Sequence, residues 1–133
     1  MPSARDFDFW LGTWDVRWGA NGTERGRNVV TRTFGGHVVE ERFDGRPGVD
    51  MTGMSVSVFD EQAGLWRQTW VDDQANYFDL AGRFENGEMT LLCRATYRMR
   101  FFDITPEAFS WTWERQAGAD WELAWAIAYT RLS

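Results

Sequence analysis

The chain has 133 residues, 44% of them hydrophobic and 26% charged, enough for one globular domain (1–133) with a core of its own. Its net charge of −6 argues against nucleic acid, where a basic stripe would be expected, and against binding to an anionic membrane surface. All 14 basic residues are arginine, which removes Schiff-base lysines, covalent pyridoxal phosphate and Walker-type phosphate loops.

The opening MPSARDFDFW lacks the layout of a signal peptide, and no run approaches the roughly 18–20 apolar residues of a membrane helix. A cytoplasmic location is expected. Asp6 to Leu11 reads as a short helical turn. From there the apolar pattern has period 2, broken by turn residues, and predicts an all-β chain of about ten antiparallel strands. They fall at roughly residues 12–20, 24–34, 36–44, 51–59, 65–72, 76–84, 88–94, 97–104, 108–115 and 121–131. Asn86-Gly87 is a type I′ pair that sets Phe84 opposite Met89, and Gly35-Gly36 closes a tight hairpin with Phe34 opposite His37. Asn21-Gly22, Asp60–Gly64, Asp73–Ala75, Arg94–Thr96 and a five-residue loop at Gln116–Asp120 make the other connections named by the pattern.

Nine tryptophans, mostly two or four residues apart, point indole rings to one face of several strands. Trp66, Gln68, Trp70 and Asp72 share the inner face of their strand, as do Met99 and Phe101, and Phe109, Trp111 and Trp113. Leu91 and Cys93 align inward with Gly82 and Leu80. In the last strand Trp121, Leu123, Trp125, Ile127 and Tyr129 are expected inside, with Trp111 paired to Trp125. The Gly35-Gly36 turn puts Val30, Arg32, Phe34, His37, Val39, Glu41 and Phe43 inside. The Asn21-Gly22 turn asks for the opposite parity, so a bulge is expected near Gly26. For residues 51–59 the pattern leaves two inner sets open: Met54, Val56 and Val58, or Ser55, Ser57 and Phe59.

Gly12-Thr13-Trp14 at the start of the first strand resembles the Gly-x-Trp of calycins, the group of lipocalins, fatty-acid-binding proteins and nitrobindin-like barrels. The resemblance implies an up-and-down barrel whose closed end is plugged by Trp14, with Arg131 lying over that ring in a cation–π contact. The segments FDFWLGTWDV, GLWRQTWVDDQANYFDLAGRFENG and DITPEAFSWTWERQAGADWELAW are similar to a bacterial family of calycin-like domains with no common activity assigned. Nitrobindin-like barrels hold haem through a histidine toward the C-terminal part of the barrel. This chain has none there; His37, beside the tight turn, is first a partly exposed histidine without function, then an acid/base group facing Glu41, and haem is the least favoured of its roles.

The inward polar residues are the candidate site. Arg32, His37, Glu41, Gln68, Asp72 and Tyr129, with Asn28, Ser55 and Ser57 as further candidates, form either a self-satisfied network or the anchor of a ligand. Glu41 lies diagonal to Arg32 across the hairpin, within reach of a charge-assisted bond. Asp72-Asp73 reads as a turn signature, since neighbours on a strand face opposite sides. One histidine and one cysteine exclude a multi-histidine metal site and an internal disulfide; Cys93 reads as a buried thiol, and no cofactor or metal is expected. The first functional reading is a binding barrel for a small apolar or aromatic metabolite. Its walls are Trp66, Trp70, Trp111, Trp125 and Tyr129, and its anchors Arg32, Glu41 and Gln68. The alternative is a cofactor-independent isomerase or cyclase with Glu41 or His37 moving a proton and Tyr129 holding an oxygen. A third is a barrel filled by its own rings that acts through its surface. Ala124, Ala126 and Ala128 then form a smooth outer ridge that suits a homodimer contact or the seat of the N-terminal segment.

Overall fold

Alternating side chains carry the chain through ten strands, each hydrogen-bonded to the next, and the tenth returns to the first. The computed structural model describes residues 1–133. The strands are β1 (Gly12–Trp18), β2 (Glu24–Thr33), β3 (Val38–Asp44), β4 (Thr52–Asp60), β5 (Leu65–Asp72), β6 (Tyr77–Glu85), β7 (Glu88–Cys93), β8 (Tyr97–Phe102), β9 (Ala108–Ala117) and β10 (Asp120–Arg131). Closure sets Trp14 opposite Arg131 and Val16 opposite Tyr129, which leaves no strand edge open. The only helical pieces are 3-10 turns at Asp8–Trp10 and Ala20–Gly22, and no helix is long and apolar enough to cross a membrane.

Most faces agree with the alternation. Asn86 and Gly87 both have positive φ (53° and 79°), the I′ signature, and Phe84 faces Met89. In β4 the inner set is Ser55, Ser57 and Phe59, with Val56 and Val58 on the outer wall. Three expectations fail. β1 and β2 pair without a bulge from Gly12–Val30 to Trp18–Glu24, because the connection has five residues, Gly19–Thr23, and not two. The register Arg32–Val39 is as expected, but Phe34 and His37 belong to the turn itself and are exposed. The β9–β10 hairpin is tight, with Ala117 opposite Asp120 and Gly118 at φ 64°. A bulge then shifts the pairing from Leu123–Glu114 to Trp125–Trp113. It rotates Trp121 and Leu123 to the outer wall and keeps Trp125, Ile127 and Tyr129 inside. Trp111 faces Ile127, and its ring still meets that of Trp125 edge-on at 5.7 Å.

One end of the barrel is sealed by the N-terminal segment. Phe7 and Trp10 enter it fully buried, and Phe7 packs at 4.9 Å against Trp66 and 5.4 Å against Phe101. Beneath them Trp14 donates its indole N–H to Trp10 O at 2.8 Å. Arg131 lies 4.3 Å over the Trp14 ring and donates to Leu11 O, Phe9 O and Pro106 O, so one guanidinium clips the plug to the last strand. Arg32 holds the other side through Asp8 at 2.5 Å and Ala4 O at 3.0 Å.

The outer wall has its own polar cluster. Glu114 accepts from Arg98, Arg100 and Thr112, and Arg98 also covers the Trp121 ring at 4.4 Å. Burial raises the Glu114 carboxyl, and these bonds and charges outweigh it, leaving the group below its ordinary value. Ala124, Ala126 and Ala128 are exposed. The N-terminal segment sits in the barrel end and does not cover them.

Candidate ligand-binding cavity

Depth along the barrel separates the inward tryptophans. Trp10, Trp14 and Trp66 at the sealed end are at most 1% exposed, while Trp70, Trp111, Trp113 and Trp125 point inward yet stay half-buried. Those four line a cavity of about 210 Å³ that runs from Trp10 at the plug to Asp72 and Asn76 at the opposite rim. Its size lies below the roughly 300–1,000 Å³ of drug-sized sites, so it suits a molecule of one or two small rings.

The register explains how the walls meet. Glu41 on β3 faces Ser55 on β4, Ser55 faces Trp70 on β5, and Trp70 faces Phe78 on β6, which makes one belt around the interior. The next belt toward the rim is Phe43, Gly53 and Asp72. Gly53 is small for a reason: a β-carbon there would lie 2.4 Å from Trp70 Cζ2, so the indole occupies the space that a side chain would take. Trp70 is aimed by its N–H bond to Asp72 Oδ2 at 2.9 Å. Across the cavity Trp113 stacks on Tyr97 and meets Phe78, and Trp125 packs edge-on against Trp18 at 5.4 Å. The β3–β4 loop comes in under Trp18 at Gly48 and contributes Met51 to the lining.

The polar patch of the wall centres on Glu41. Its two oxygens accept from Ser55 Oγ and Asn28 Nδ2, both at 2.7 Å, and Asn28 Nδ2 also donates to Tyr129 Oη at 2.9 Å. Burial lifts the Glu41 carboxyl above the ordinary carboxylate range, and the bonds from Ser55 and Asn28 only partly offset it. Burial, with the charge of Glu41 beside it, pushes the Tyr129 phenol well up. Asp72 behaves oppositely. Partial burial raises it, but donors from Trp70, Asn76 and Gln74 prevail and keep it charged at the rim. The indole N–H of Trp10, on the lining, and the amide oxygens of Asn28 and Gln68 are buried without partners.

Of the expected site residues, the fold brings together Glu41, Trp70, Trp111, Trp125 and Tyr129 on this cavity. Gln68 faces inward but bonds to Ser57 Oγ, and Trp66 packs on Phe7 and Phe59; neither reaches the lining. Arg32 does not reach Glu41: it is drawn to Asp8 at the plug. His37 is exposed on the β2–β3 turn at the sealed end, so it can neither face Glu41 nor hold a haem in the cavity. Asp72 and Asp73 do form a turn signature, Asp72 accepting from the Gln74 and Asn76 backbone, yet Asp72 also lines the cavity. Trp113, Phe43 and Phe78 join the walls unforeseen. Their inward parity was legible; their place on the open half was not.

The chain matches no family model and no curated protein. The closed ten-stranded antiparallel barrel is compatible with a calycin-like fold.

The Glu41 carboxyl has a direct signature in stability. Below about pH 4.5 it is protonated folded and unfolded, and costs nothing. As pH rises through its raised folded value, the unfolded chain releases the proton first, so the fold loses stability and the full penalty stands above that value. Asn28, Ser55 and Tyr129 face it, and none of them carries a compensating positive charge. The melting temperature of Glu41→Gln minus that of the native chain should therefore grow by several degrees between pH 4 and pH 8. A difference that stays flat across this range in scanning calorimetry would show that the carboxyl is unperturbed.

Proposed function

We propose that this calycin-like barrel binds a small, flat, largely apolar molecule of one or two rings in the cavity between Trp70, Trp111, Trp113, Trp125 and Tyr129. The observation that carries the reading is the contrast in exposure. Inward indoles at the open half remain half-buried, whereas those at the sealed half are fully covered. A protein that needed only a core would pack all of them. Half-buried aromatic walls, one buried carboxyl and a carboxylate at the rim match the make-up of ligand pockets, mostly apolar with a few convergent polar groups.

The test uses calorimetric titration of phenol and 2-naphthol into the native chain and into Leu80→Phe. Leu80 is buried on the cavity wall, so the larger ring fills the space from within. Saturable one-to-one binding by the native chain, lost in Leu80→Phe while its melting temperature stays within a few degrees, is the expected result. Equal binding by both proteins, or none by the native chain, overturns it.

The raised Glu41 carboxyl beside Tyr129 favours a second reading, a cofactor-independent isomerase that moves a proton within the cavity. The volume limits such a substrate to the same one or two rings. In this reading Glu41→Gln loses turnover of a bound compound and keeps its affinity.

A further inference from the structure

The charges around the cavity are all of one sign. Glu41 and Asp72 are the only ionisable carboxylates on its lining, and no arginine reaches it, because Arg32, the cation expected beside Glu41, is held at the far end by Asp8. Glu41 receives only neutral donors, Ser55 Oγ and Asn28 Nδ2. A carboxylate has about four acceptor positions, so each of its oxygens can take a further donor. Its neighbour Asn28 adds a buried amide oxygen with no donor at all. The cluster has a surplus of acceptors and no positive charge.

The rest of the wall favours the same partner. Trp70, Trp111, Trp113 and Trp125 surround the space, and indole rings attract cations through the ring quadrupole, most strongly where water is excluded. Asp72 at the rim adds a fixed negative charge where a ligand enters, which concentrates cations at the mouth and repels anions. A neutral aromatic molecule would gain only the apolar area. An anion would meet two carboxylates with no counter-charge.

We propose that the cavity selects a small organic cation, an ammonium group carried on an aromatic or short apolar body, with Glu41 as its counter-charge inside the aromatic cage. This rests on the reading of the cavity as a ligand site and names the class of ligand it takes. The ammonium supplies the positive charge that Glu41 lacks, and the carboxyl is ionised in the complex.

Three probes of matched shape separate the possibilities: phenethylamine, 2-phenylethanol and 3-phenylpropanoate, titrated calorimetrically at pH 7.5 into the native chain, Glu41→Gln and Asp72→Asn. Phenethylamine should bind at least tenfold tighter than 2-phenylethanol, and 3-phenylpropanoate should not bind measurably. Glu41→Gln should bring the amine down to the affinity of the alcohol and leave the alcohol unchanged. Asp72→Asn, at the rim, should weaken the amine by a smaller factor, with stronger salt dependence in the native chain. Equal affinity for amine and alcohol, or preference for the propanoate, overturns the cation proposal and leaves the binding function standing. No binding of any probe overturns both. Unchanged amine affinity in Glu41→Gln removes Glu41 as the counter-charge.

Discussion

Replacing Trp14 by alanine is expected to cost about 3–5 kcal/mol of folding stability, the range for deleting a buried tryptophan. For a chain of this length that lowers the melting temperature by roughly 10–20 °C. The ring has no exposed surface, packs on Phe109 and Tyr129, and supplies the N–H bond to Trp10 O. It is also the face on which Arg131 rests, and Arg131 in turn holds the backbone of the plug. Because one guanidinium serves both, the losses in Arg131→Ala and Trp14→Ala should not add. The double variant should fall short of the sum by about 0.5–3 kcal/mol, as for groups in contact. Chemical denaturation of the four proteins measures it, and strictly additive losses would show that ring and guanidinium act independently.

Trp10→Ala should be the second most damaging change, and the most informative about the cavity. Trp10 is at most 1% exposed, packs at 4.9 Å on Phe7 and 5.2 Å on Phe101, and forms the inner limit of the cavity. Its removal joins the vacated indole space to the existing cavity, at a cost of about 3–5 kcal/mol. Added indole should refill the space. A ligand that binds only the folded chain stabilises it by about 2.7 kcal/mol at a hundred times its Kd. The melting temperature of Trp10→Ala should thus rise with indole by clearly more than that of the native chain. Equal rises would mean that the surrounding rings have collapsed into the gap.

The period-2 pattern was enough to place most side chains in or out, and turn chemistry was enough to set several registers. Asn86-Gly87 demands positive φ at two successive residues and so aligned Phe84 with Met89 correctly. The hairpin register of β2 and β3 was also legible, which put Glu41 on the inner face. What misled was any feature that changes parity by one residue. The bulge at Ala124 carries no composition signal, because alanine suits either face, and a slip of one residue moves every side chain beyond it. Trp121 and Leu123 were read as interior for that reason. Phe34 and His37 were read as strand residues although they form the turn.

The larger gap concerns depth. Arg32, Glu41, Gln68 and Trp70 all alternate inward, and nothing local distinguishes them. Yet Arg32 ends at the plug, Gln68 on Ser57, and Glu41 and Trp70 on the cavity. The likeness of Gly12-Thr13-Trp14 and Arg131 to a calycin seal pointed to the closed end, and the contact at 4.3 Å is there.

By itself the sequence determined most of the residues that line the interior of an antiparallel sheet and several of the places where the chain turns. Both follow from neighbouring residues, through the pleat and the few backbone conformations that glycine and asparagine adopt easily. Only the tertiary structure decided how the N-terminal segment fills the sealed end, which inward groups share a level and that Glu41 faces aromatic rings without an arginine. Those depend on the stagger between strands and on where the N-terminal segment docks, properties of the closed barrel that no short stretch of chain contains.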